Sequence, residues 1–121
     1  MGKLGLCAAL VYAQAGYEVV GVDVSRDHVD SLNAKTHRSS EPLVNEYLAA
    51  CSTFRASTNL LESVEWAEVV MLFVDTPSGP DDKVYDHRNV SNVLHTLVPF
   101  LLHLLICTAD AHWMLHRTRP K

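Results

Sequence analysis

Apolar positions fall in short blocks whose spacing changes along the chain. Leu4, Leu6, Ala8, Ala9, Leu10, Val11 and Ala13 form a small-residue helical run. Gly16 closes it, glycine being the usual left-handed stop of a helix. Tyr17-Glu18-Val19-Val20-Gly21-Val22-Asp23 is a β-branched run ending on an acid, the pattern of a buried parallel strand. Ser25 predicts the cap of a helix from Arg26 to about Asn33, with Asp27 in its first turn and Val29 and Leu32 facing inward.

A polar loop over 36–40 follows. Leu43, Val44, Tyr47 and Leu48 then have helical spacing behind Pro42, a good first-turn residue. The spacing predicts a short strand over 54–57 and a helix over 60–67 capped by Asn59. Val69-Val70-Met71-Leu72-Phe73-Val74 is a second strand of buried type. A loop rich in Pro, Gly and Asp covers 75–88, a helix 89–97 and a last strand 104–108. Trp66 is expected in the core or in helix–sheet packing, with Glu62 and Glu65 on the exposed face. Strands alternating with helices predict an α/β fold with a parallel sheet.

Composition narrows the class. The chain has 121 residues, 48% hydrophobic and 20% charged, which fits one globular domain. A formal net charge of −4 argues against a nucleic-acid partner, because phosphate contacts need a basic face. The greasy stretch 93–106 is broken by His95, Thr96, Pro99 and His103. It is shorter than the roughly 20 apolar residues a membrane span needs, so no membrane partner is expected. Cys7, Cys51 and Cys107 stand apart with no CxxC pair, the usage of a reduced, cytoplasmic protein.

The candidate chemistry lies in the first quarter. Gly2-x-x-Gly5 leads straight into a helix, and about 20 residues later a strand ends in Asp23. That is the second half of the G-x-G-x-x-G dinucleotide fingerprint together with its distant acid. A glycine at the turn lets backbone approach a pyrophosphate, and the helix start offers free N–H groups and a positive dipole. An acid after the next strand accepts hydrogen bonds from ribose hydroxyls and repels a 2′-phosphate, favouring NAD over NADP. The plainer alternative is an α/β domain in which the glycines ease packing and Asp23 ends a strand.

Several ordered segments together resemble one family. Gly2-Lys3-Leu4-Gly5-Leu6, the run from Ala15 through Gly16 and Asp23 to Ser25, Val29-Asp30-Ser31-Leu32-Asn33 and Glu41-Pro42-Leu43-Val44-Asn45-Glu46-Tyr47-Leu48 are similar to the N-terminal domain of the UDP-glucose/GDP-mannose dehydrogenase family. So are Phe54-Arg55-Ala56-Ser57-Thr58-Asn59, the run from Ala67 to Asp75-Thr76-Pro77, and Asp86. The resemblance covers roughly residues 2–98. It implies a Rossmann-like doubly wound parallel sheet and NAD as cofactor. The family's reaction is NAD-dependent oxidation of the 6-hydroxyl of a nucleotide sugar to a carboxylate.

Carried over by position, Gly2 and Gly5 shape the turn, and Lys3 and Leu4 lie over the pyrophosphate through their backbone. Asp23 binds the adenosine ribose, and Thr76 contacts the cofactor from its strand end. His28 stands where the family usually has Lys or Arg near that ribose. The bland alternative for it is an exposed helix histidine.

The departures set further expectations. The strand that should precede Gly2, with the first fingerprint glycine, is missing, so the sheet is expected to be incomplete. The strands near 18–23 and 69–74 would flank the vacant position, and either close up or expose edges through which chains can associate. After Val98 the resemblance fades. This divides the chain into a partial NAD-binding domain, 1–98, and a divergent segment, 99–121. The family's catalytic glutamate, lysine and cysteine lie beyond the chain, so no catalytic residue is assigned and Cys107 inherits no role. A nucleotide-sugar partner is implied only for a full-length relative, and the chain alone is expected to be inactive. A remnant that binds no cofactor, or an interaction fragment, is the alternative. His112 and His116 have metal-ligand spacing but no third ligand, and Asp81-Asp82 reads as a solvated acidic pair, so no metal is assigned.

Overall fold

The computed structural model describes residues 1–74, 88–99 and 105–108. Its elements are α1 (Lys3–Gln14), β1 (Val19–Val22), α2 (Arg26–Asn33), α3 (Val44–Ala50), β2 (Phe54–Ser57), α4 (Leu60–Trp66), β3 (Val69–Leu72), α5 (Arg88–Leu97) and β4 (Leu105–Thr108). β1 pairs in parallel with β2, and β3 in parallel with β4. Among the described residues these make two two-stranded parallel sheets, in the α/β order of elements expected from the sequence.

The chain divides into two compact units, Met1–Ser63 and Val64–Lys121. In the first, α1 packs on β1, β2 and α3, and α2 packs on β2. Leu6, Leu10, Val29, Leu32, Val44, Leu48, Phe54 and Ala56 form its continuous core. The ends of its helices are well specified. α1 closes in a Schellman arrangement. Gly16, at φ +95°, donates to Ala13 O and Tyr17 N–H to Tyr12 O, while the Tyr12 and Tyr17 rings meet edge-on. Tyr17 thus belongs to the helix stop, which is why β1 starts only at Val19. α2 ends in the same way with Lys35 at φ 59°, a conformation that costs a side-chain-bearing residue. Lys35 Nζ bonds Cys51 O at 3.0 Å and lies over the Phe54 ring. Asn33 clamps the outer edge of β2, accepting from Ala56 N–H and donating to Ala56 O, so that edge is not left open.

α3 departs from expectation. Pro42 is not in its first turn. The helix begins at Val44, behind a left-handed Leu43 (φ 64°) that is exposed instead of facing the core. Leu4 and Val11 of α1 are also exposed, because the buried stripe runs through Leu6, Ala9, Leu10 and Ala13.

In the second unit, Val64, Leu72 and Leu97 are buried. Trp66 is 40% exposed, not core. It follows buried Val64 by two residues, which turns it about 200° around the helix. Val69 and Met71 are likewise exposed at 51% and 38%, against the buried strand expected. They share one face of β3, and only Leu72 on the other is buried. Glu62 and Glu65 are exposed as expected, and Asn59 Oδ1 caps α4 by accepting from Glu62 N–H.

Candidate functional site

The start of α1 is an open helix terminus. Gly2 is its N-cap, extended at φ −70° and ψ −176°, and no side chain caps it. No acid lies in the first turn. A Cβ built on Gly2 would meet nothing within 4 Å. The first-turn N–H groups of an α-helix have no partner within the helix. Here no side chain caps them, the space beside Gly2 is open, and the dipole end is positive, an arrangement suited to an anion. Lys3 and Leu4 are exposed and Gly5 is buried in the helix face. Lys3 Nζ lies 3.4 Å from Glu41 Oε1 and 3.4 Å from Ser40 Oγ.

The residue before that helix links it to the two other described candidates. The amino group of Met1 bonds Asp23 Oδ2, and Met1 O lies 3.0 Å from His28 Nε2. Its side chain lies so close to Gly21 that a Cβ there would sit 2.6 Å from Met1 Cε and 3.1 Å from Phe54. Gly21 therefore holds the place at which the chain start crosses β1. Through these contacts Gly2, Asp23 and His28 share one locality.

Asp23 is half-buried at the end of β1. Its Oδ1 accepts the Ser25 N–H at 2.8 Å, while Oδ2 accepts from Met1. Burial alone would raise its pKa. The hydrogen bonds from Met1 and Ser25, with the positive charges of Met1 and His28, outweigh burial and hold the carboxyl below its ordinary value. It is an ionised acceptor at neutral pH.

His28 is half-buried in the first turn of α2, not the exposed helix histidine of the bland alternative. Its backbone N–H donates to Ser25 Oγ, so Ser25 is the cap expected. Its ring meets His37 edge-on, with centroids 5.0 Å apart. Burial, then the nearby charges of His28 and Arg38, lower the His37 pKa.

Thr76, Asp81, Asp82, Asp86, His112 and His116 lie outside the described residues, and of β4 only the backbone is described. Among the described residues no group of three His, Cys, Asp or Glu is placed to hold a metal. No described helix is long and apolar enough to cross a membrane. Sequence reasoning missed His37, Ser40 and Glu41 as neighbours of the site. Each reaches it from a loop joining α2 to α3, and nothing in local spacing signals that approach.

Comparison with known proteins shows what the chain as a whole resembles. The family model described as UDP-glucose/GDP-mannose dehydrogenase family, NAD binding domain, matches residues 1–107. The GDP-mannose 6-dehydrogenase of Azotobacter vinelandii is 37% identical over 81 residues, 64% of this chain and 19% of that protein. The UDP-N-acetyl-D-mannosamine dehydrogenase of Methanococcus vannielii is 29% identical over 104 residues, 84% of this chain and 24% of that protein. A solved UDP-glucose dehydrogenase from Pyrobaculum islandicum superposes with a TM-score of 0.80 at 24% identity, over 88% of this chain and 26% of its own. That likeness speaks for the fold alone. The chain spans about a fifth to a quarter of the length of the relatives it matches.

Proposed function

The chain belongs to the UDP-glucose/GDP-mannose dehydrogenase family through its NAD-binding domain, and from that premise we propose which of its residues seat the cofactor. The first-turn amides of α1, at Lys3 and Leu4, receive the pyrophosphate. Gly2 leaves the approach open, and Gly5 is buried on the inner face of the helix. Asp23 accepts from the adenosine ribose. His28 borders that ribose, and Thr76 contacts the cofactor from the end of its strand. NAD, when bound, supplies the hydride acceptor for oxidising an alcohol. The chain's own part is to bind and orient it.

The observation that carries this reading is the pairing of an uncapped, acid-free helix start with an ionised acid one residue away through Met1. The Met1 amino group holds Asp23 Oδ2, and in this reading a ribose hydroxyl takes its place. A 2′-phosphate at the same place would face the carboxylate and be repelled, so NAD is preferred to NADP.

The domain assignment, 1–98 for cofactor binding and 99–121 for a divergent segment, is part of the same proposal. So are a nucleotide sugar as the substrate of the full-length enzyme, with no nucleic-acid or membrane partner, and association through sheet edges. The free thiols of Cys7 and Cys51 support a cytoplasmic setting. The family match favours cofactor binding over a remnant that binds none.

Calorimetry with NAD and NADP tests the proposal. NAD should bind more tightly, and Asp23→Ala should weaken it by about 1.5–3 kcal/mol, the loss of a hydrogen bond to a charged group. Equal affinity for the two cofactors, or an unchanged variant, would contradict the assignment.

A further inference from the structure

Lys3 stands at the positive end of the α1 dipole, where a cation is repelled and an acid would be stabilised. The first turn supplies no acid to offset it. Its ammonium instead meets Glu41 and Ser40, more than thirty residues away in sequence. The loop that delivers Glu41 is itself fixed. Asn45 accepts from Ser39 N–H and donates to Ser39 O, both at 2.9 Å, and Ser39 Oγ accepts from Glu41 N–H at 3.1 Å. Yet the Lys3 and Glu41 side chains are 73% and 38% exposed, and an exposed pair of this kind adds little to stability. A cation set against the local dipole and balanced by an acid on a firmly held loop is not explained by folding.

Resting on the reading that the cofactor's pyrophosphate lies at the start of α1, we propose that the Lys3 side chain is a further diphosphate-binding group and that Glu41 is its resident counter-ion, displaced when the diphosphate arrives. The backbone amides give the anion direction, and the ammonium adds a mobile point charge. Ser40 and Glu41 hold that charge beside the helix start until the exchange. Glu41 competes with the diphosphate for the Lys3 ammonium and so opposes binding. The two residues therefore act on affinity with opposite signs. A merely structural ion pair would not do this, since breaking it from either side has the same sign.

The test uses the whole chain with NAD, ADP and adenosine, followed by calorimetry and ligand-observed NMR. Lys3→Gln should weaken NAD and ADP about three- to fivefold, the upper part of the range for an exposed charge contact, and leave adenosine unchanged. Lys3→Arg should retain most of the affinity. Glu41→Gln should tighten NAD and ADP about twofold, and the double variant should behave as Lys3→Gln alone, because Glu41 acts through Lys3. If NAD binds the parent chain but Glu41→Gln weakens it, or Lys3→Gln weakens adenosine equally, this inference fails while the cofactor reading stands. If the parent chain binds neither NAD nor ADP, both fail together.

Discussion

Two helix starts lie side by side in the first unit and are built in opposite ways. α2 is closed. Ser25 Oγ accepts from His28 N–H, Asp27 sits in the first turn, and Asp23 accepts from Ser25 N–H. α1 is open, with glycine as its cap, no first-turn acid, a lysine at its first position and free space around Gly2. The usual devices of helix stabilisation are spent on α2 and withheld from α1. A helix that gives up its cap loses stability unless something else supplies the negative charge. In the proposed complex the cofactor's pyrophosphate supplies it at α1, and the ribose takes the place of the Met1 amino group on Asp23.

The sharpest way to break the contrast is to cap α1. Gly2→Asp meets no neighbour at its Cβ and should place a carboxylate on the first-turn amides. Thermal unfolding should show a gain of a few tenths to about 1 kcal/mol. NAD affinity should fall by roughly tenfold or more, as a built-in anion competes with the pyrophosphate. A variant both more stable and equally able to bind NAD would show that α1 is not the anion site.

Uncapping α2 is the converse. Ser25→Ala removes the acceptor of the His28 N–H and should cost about 1 kcal/mol of stability in denaturant unfolding. Because the Ser25 N–H that holds Asp23 is backbone and survives, NAD affinity should change by less than the stability does. A loss of binding larger than the loss of stability would mean that Ser25 itself serves the cofactor.

The smallest effect is the response to acid. The folded pKa of Asp23 is lowered, so its contribution is full above the ordinary carboxylate range and lost as pH falls through the lowered value. The pKa of His37 is lowered too. Below about 6.5 the unfolded chain takes up that proton before the folded one, and stability declines until the folded ring also protonates. The melting temperature should therefore fall in two steps on acidification. His37→Gln should remove the one nearer neutrality, and persistence of that step would clear His37.

Much of this was legible in the residue order. Ser25 as cap, Val29 and Leu32 as core, Gly16 as a left-handed stop and the strand at 54–57 all rest on local chemistry within one or two turns. The fingerprint glycines and Asp23 were legible because their spacing is set by one helix and one strand. What escaped is tertiary. Leu43 and Lys35 take left-handed conformations that their side chains do not advertise. Glu41 and His37 arrive from a loop whose path depends on the Asn45 clamp and the end of α2. The apolar run of β3 suggested burial on both faces. Composition shows that a strand can be covered, not which face is, and Val69 and Met71 stand open.

Seating of NAD between the open start of α1 and Asp23 is tested most directly by amide NMR during titration with NAD. Saturable shifts should concentrate at Lys3, Leu4, Asp23, Val24 and Ser25, with α3 and the Schellman turn at Gly16 little changed. Shifts centred elsewhere, or none at Lys3 and Leu4 when NAD is bound, would contradict that placement.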